Sequence, residues 1–117
     1  YQGPVRSPTY TLVEGYDLAD HMLYHLDLYR IRGDAELEYL GIRDLDDPDL
    51  WVFVEWPERG TGSLPLPDLM LRLETREPGR VIRVNPVTDC GQRLAAAWAA
   101  RIEETPSEQQ ATRSPWI

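Results

Sequence analysis

Lysine is missing altogether from this chain of 117 residues; all twelve basic side chains are arginines. That absence excludes a complete phosphate-binding P-loop within these residues. Such a loop needs a glycine-rich turn ending in Lys-Ser or Lys-Thr, so that backbone N–H groups cradle the phosphates and the ammonium reaches the terminal ones. The eight glycines are scattered and never take that spacing. Cysteine is nearly absent too. Cys90 stands alone, which excludes an internal disulfide and fits a reducing, cytoplasmic setting. No apolar run approaches the ~20 residues of a membrane-spanning helix. There is no basic segment leading into an apolar one, and the chain opens on Tyr1, so it reads as a fragment or processed product without a signal peptide. Basic charge is in deficit, with 20 acidic against 12 basic residues and a net charge of −8. An acidic domain repels nucleic-acid phosphates at long range, so direct, tight nucleic-acid binding by this chain alone is not expected.

What remains is ordinary globular material: 42% apolar and 27% charged residues, enough for one small core. Tyr10–Tyr16 and the more apolar His21–Tyr29 read as two strands of a hairpin turning at Asp17–Asp20. Asp34–Gly41 reads as a short helix with Asp34 as N-cap, Leu37 and Leu40 inward and Gly41 as terminator. Asp44–Asp49 is an acidic loop. Leu50-Trp51-Val52-Phe53-Val54 is a nearly unbroken apolar run, expected to be a central strand buried on both faces between the Thr9–Tyr29 and Leu69–Val87 hairpins. The segment 57–67 is rich in Gly and Pro. Leu69–Thr75 and Val81–Val87 alternate apolar with polar around a Pro-Gly turn at 76–80. Asp89–Glu103 reads as a helix with Leu94, Ala97, Trp98 and Ile102 on one stripe, Trp98 packing it onto the sheet. A disordered polar tail is expected over 105–117. The whole is an α/β fold.

Two acids end apolar strands: Asp27 and Glu55. In open α/β sheets ligands sit at the carboxyl ends of strands, and Mg²⁺ needs only one or two carboxylates because it keeps much of its water. An acid at a strand end also simply marks where the strand meets solvent. Ser7-Pro8-Thr9-Tyr10-Thr11 offers three hydroxyls ahead of a strand, able to sense a phosphate or to serve as an ordinary loop. His21, His25 and Asp27 share a face at a period of two, but their spacing matches no zinc pattern. The acidic loop fails as an EF-hand, since Asp49 stands where glycine is required and Pro48 takes a ligand position. Cys90 reads as a small buried hydrophobe.

Three blocks, taken in order and spacing, carry more than any one alone: Ser7-Pro8-Thr9-Tyr10-Thr11-Leu12-Val13-Glu14, His25-Leu26-Asp27-Leu28-Tyr29-Arg30, and Val54-Glu55-Trp56-Pro57. With Glu36–Asp44 between the last two, they resemble the TsaE (YjeE) family of bacterial ATPases from about Val5 to Ala100. The resemblance implies a P-loop-NTPase-like mixed sheet with flanking helices. It also implies ATP and Mg²⁺ as cofactors, TsaB and TsaD as protein partners, and support of threonylcarbamoyladenosine formation on tRNA, with tRNA engaged only indirectly. By that likeness Thr9 and Thr11 belong to a switch near the γ-phosphate, and Asp27 is the Walker B-type acid. Glu55 is the Mg²⁺-associated acid that orients the attacking water, and Trp56 and Arg80 approach the nucleotide. The family's Lys-Thr phosphate loop and first core strand belong before residue 1. Residues 1–104 then form the C-terminal portion of such an ATPase domain, inactive alone, with a bare sheet surface that favours self-association. Two other classes stay open: a non-catalytic acidic interaction module, and a small metal-dependent hydrolase built on His25, Asp27 and Glu55.

Without a lysine or phosphate loop, the residues left to meet a triphosphate are mostly neutral or acidic. Titrating the 117-residue chain with ATP and Mg²⁺ is therefore expected to leave its tryptophan fluorescence unchanged through the micromolar range. Saturable quenching there would show that the loop is dispensable.

Overall fold

The computed structural model describes residues 1–104; the tail expected over 105–117 lies outside them. The chain divides into two compact units, Tyr1–Pro65 and Leu66–Ile117. The first contains β1 (Val13–Leu18), β2 (His21–Asp27), α1 (Asp34–Tyr39) and β3 (Leu50–Glu55), with single 3₁₀ turns at Ile42–Leu45 and Pro57–Gly60. The second contains β4 (Leu69–Arg76), β5 (Gly79–Pro86) and α2 (Asp89–Glu104).

In the first unit β1 and β2 are antiparallel across the two-residue turn Ala19-Asp20, with Val13 opposite Leu26 and Leu18 opposite His21. The chain then crosses over through α1, and β3 returns parallel to β2. A parallel return needs such a crossover, because a tight turn can only reverse direction. The strand order is β1-β2-β3. The two-residue period sorts the side chains. Val13, Tyr24, Leu26, Val52 and Val54 face the core, where Leu26, Leu28, Ile31, Leu37 and Ile42 are buried together. Glu14, Tyr16, His25, Asp27, Phe53 and Glu55 lie on the opposite face.

This sheet corrects the expectation of a central Leu50–Glu55 strand. β2 is central, β3 is the edge of the described sheet, and β4 with β5 forms a sheet of its own. Val52, Phe53 and Val54 are half-buried rather than buried, and Trp51 is 45% exposed. The physical reason is that packing reaches β3 from one face and ladder bonds reach it from one edge. The first strand also starts later than its composition suggests. Pro8–Leu12 curls into a turn in which the Leu12 N–H donates to the Pro8 carbonyl at 2.8 Å. Leu12 itself is left-handed, with φ 69°. In α1, Gly33 precedes the helix and Asp34 is its first residue rather than its cap. Leu37 is buried as expected, and Leu40 is half-buried.

In the second unit β4 and β5 pair from Leu69 opposite Pro86 to Arg76 opposite Gly79. Their turn is Glu77-Pro78, joined by a cis peptide. Both strands run closer to that turn than the alternation of side chains suggests. α2 packs on this hairpin, with Leu94 and Trp98 half-buried but Ala97 and Ile102 exposed. Its start is tied to Asp68. The Thr88 hydroxyl accepts the Gly91 N–H at 3.0 Å and donates to Asp68 Oδ1 at 2.5 Å. The Asp68 carbonyl accepts the Val87 N–H at 2.8 Å. A Cβ on Gly91 would sit 1.9 Å from that carbonyl oxygen, so only glycine allows this approach. Cys90, expected to be buried, is exposed, because the close approach to Asp68 falls on the next residue round the helix. No described helix is long and apolar enough to cross a membrane.

Because the buried cluster around Leu26 lies on one face of the sheet, with only Tyr16 among the buried apolar side chains of the described strands on the other, the two faces carry different energetic weight. Leu26→Ala is expected to lose about 2–5 kcal/mol in urea unfolding, while half-buried Phe53→Ala loses less. The reverse order would place the packing centre on the other face.

Candidate functional site

Asp27 and Glu55 are the last residues of β2 and β3 and are partners in the parallel register. Parallel strands present their carboxyl ends at one edge, so the two acids stand side by side on one face. Asp27 is only 7% exposed. Its Oδ1 accepts the Tyr29 N–H at 3.0 Å, which turns the chain away from the strand. Glu55 is exposed and held from two sides. Its carbonyl accepts the Leu28 N–H at 3.1 Å, and its Oε1 accepts a hydrogen bond from His25 Nε2 at 2.9 Å.

The hydroxyl-bearing turn reaches the same edge. The Leu12 carbonyl accepts the Asp27 N–H at 3.0 Å, which docks the turn onto the end of β2. Ser7 and Thr9 hydroxyls share a hydrogen bond of 2.8 Å, and Thr11 donates to Glu14 Oε1 at 2.8 Å. Arg30 clamps the turn: it donates to the Thr9 carbonyl, and its guanidinium lies 5.1 Å from the centre of the Tyr10 ring. Sequence patterns assign Arg30 no role, since a single arginine after a strand carries no geometric signal.

Trp56, immediately after Glu55, is left-handed with φ 55°. Its ring is 4.9 Å from that of Tyr29, and Arg59 lies 5.3 Å from the Tyr29 ring. This aromatic cluster is exposed, Trp56 by 47%. Thr9, Thr11, Asp27, Glu55 and Trp56 therefore all belong to the first unit. Arg80 belongs to the second, where it is exposed and donates to the Gly79 carbonyl at 3.0 Å.

Among the described residues no group of three His, Cys, Asp or Glu side chains converges as a metal site. The zinc and metal-hydrolase readings thus have no three-residue ligand set among the described residues. His21 pairs with Asp20 at 2.8 Å and lies 5.1 Å from the Trp51 ring, while His25 is engaged with Glu55. In the acidic loop, Asp47 Oδ1 accepts the Asp49 N–H. The paired carboxylates Asp27 and Glu55 do fit Mg²⁺. Their hydrogen bonds with Tyr29 and His25 each engage one carboxylate oxygen, and hard oxygen donors from one or two carboxylates are what that ion takes.

Two carboxylates ending adjacent parallel strands, beside a turn rich in hydroxyls, place the first unit in the α/β class whose sites open at the strand carboxyl ends. The family model for "Threonylcarbamoyl adenosine biosynthesis protein TsaE" matches residues 1–82. The tRNA threonylcarbamoyladenosine biosynthesis protein TsaE of Haemophilus influenzae is 41% identical over 99 residues, covering 85% of this chain and 63% of that protein. Its namesake from Borreliella burgdorferi is 36% identical over 81 residues, covering 68% of this chain and 59% of that protein. The namesake from Synechocystis sp. is 44% identical over 61 residues, covering 49% and 38%. The chain belongs to the TsaE family, and its mixed α/β architecture is consistent with the P-loop-NTPase-like fold of that family. It spans about three-fifths of the length of the first two relatives.

The Arg30 clamp generates a test. Arg30→Ala is expected to speed hydrogen exchange at the Leu12 amide, which closes the turn, while the Tyr24 amide in central β2 keeps its protection. Equal exchange at Leu12 in both proteins would show that the turn holds itself.

Proposed function

We propose that this chain is the C-terminal portion of a TsaE-type, Mg²⁺-dependent ATPase domain that supports threonylcarbamoyladenosine modification of tRNA. In this reading it works in the cytoplasm with TsaB and TsaD and meets tRNA only through them. The observation that carries it is the register of Asp27 with Glu55 at the ends of parallel strands. The names of the matched relatives support the tRNA-modification setting. The acidic balance supports indirect engagement of tRNA.

The family resemblance supplies the roles, and position supports them. Asp27 and Glu55 are the residues that would hold Mg²⁺, whose chemistry there is to neutralise phosphate charge. Asp27, buried and fixed by the Tyr29 amide, suits a rigid anchor. Glu55, exposed, suits a carboxylate that accepts a hydrogen bond from an attacking water and orients it. Thr9 and Thr11 stand on the turn docked to Asp27, where hydroxyls can respond to a terminal phosphate. Trp56, which follows Glu55 directly, would contact the nucleotide. Nothing in these 117 residues supplies the lysine and backbone cradle for the phosphates, so these residues alone are not expected to hydrolyse ATP.

An acidic interaction module is the second reading, favoured by the exposed Trp51, Tyr29 and Trp56. The open β3 edge and Trp51 would also serve self-association. One experiment separates catalysis from mere docking. In the protein at its natural length, Glu55→Ala is expected to abolish Mg²⁺-dependent ATP hydrolysis while nucleotide binding, read by equilibrium titration, is largely kept. Asp27→Ala should behave alike. Unchanged turnover in Glu55→Ala removes Glu55 from the chemistry and leaves the docking reading.

A further inference from the structure

The side chain of Glu55 is 45% exposed, and an exposed glutamate has three freely rotating bonds. A carboxylate that must place a water or metal cannot be left so loose, because small displacements cost catalytic efficiency. The structure provides one restraint on it. His25 lies two residues before Asp27 along β2, on the same face as Asp27 and Glu55. Its ring is 15% exposed, and Nε2 meets Glu55 Oε1 at 2.9 Å. Flanking strands leave the ring little freedom: Glu14 of β1 and Phe53 of β3 are its register partners. Glu14 is itself engaged by the Thr11 hydroxyl at 2.8 Å. The Glu55 backbone is pinned separately by the Leu28 amide. The imidazole therefore fixes one carboxylate oxygen and leaves the other directed by the ring.

We propose that His25 is a positioning residue: its Nε2–H orients the Glu55 carboxylate for the reaction without touching nucleotide or metal. The inference rests on the proposed role of Glu55. The bland alternative is a surface ion pair, which contributes little to stability and nothing to turnover.

The two differ in which atom matters. A glutamine at 25 carries an amide nitrogen near the place of Nε2, whereas an asparagine carries one near Nδ1. In the protein at its natural length, His25→Ala is expected to lower kcat about 10- to 100-fold, the usual effect of losing a partner that orients a metal-site ligand. KM for ATP should change by less than about twofold, since the lost interaction acts on the transition state. His25→Gln should recover most of the loss and His25→Asn should not. In the Glu55→Ala background, His25→Ala should add nothing further. A ligand-free readout accompanies these. The Nε2–H proton signal of His25 in the NMR spectrum should shift or vanish on Glu55→Ala while the β2 amide signals keep their positions. If Glu55→Ala silences hydrolysis but His25→Ala turns over normally, the positioning role is overturned and the role of Glu55 stands. If His25→Gln and His25→Asn fail alike, the effect is packing rather than orientation, and the proposal also falls. If Glu55→Ala itself is active, the underlying reading of the site fails.

Discussion

The parallel pairing of β2 with β3 is the constraint on which the first unit depends. It requires a crossover, and the crossover supplies α1 and the 3₁₀ turn that bury Leu26 and its neighbours. It also brings two chain segments to an end at the same edge, with Asp27 beside Glu55. An antiparallel return would have put those acids at opposite ends of the sheet. Fold and candidate site are thus two results of one choice of strand direction.

Much of this was legible in the residues. The hairpin of β1 and β2, the helix around Leu37 and the β4–β5 hairpin follow from alternation, helix formers and turn chemistry. The acids at the strand ends stood out because each closes an apolar run. What was not legible is which strand is central. Leu50–Val54 has the composition of a doubly covered strand, yet half-burial at Val52, Phe53 and Val54 shows that composition records only what a strand tolerates. Helix α2 posed a similar problem. The close contact with Asp68 selects Gly91 and leaves Cys90 in solvent, a long-range accident of packing that no local pattern encodes.

The contacts that organise the site were legible least of all. Arg30 to Thr9, His25 to Glu55 and Leu12 to Asp27 join residues separated by 21, 30 and 15 positions in the chain. Each depends on backbone carbonyls or on ring orientation, which carry no sequence signature. The family resemblance assigned roles to Asp27 and Glu55. Geometry adds how they are held: one by a main-chain amide, the other by an imidazole.

The one-sided core has an evolutionary corollary. Along β2 and β3 the even-numbered positions from Met22 to Leu26 and from Leu50 to Val54 face the packed side, and the odd-numbered ones from His21 to Asp27 and from Trp51 to Glu55 face the other. On the proposed function, selection for stability and selection for chemistry fall on alternate letters of the same short strings. A lineage can then change the face of Asp27 and Glu55 at odd positions while the even ones keep the volume of the Leu26 cluster constant. The two demands share a backbone without competing for the same side chains.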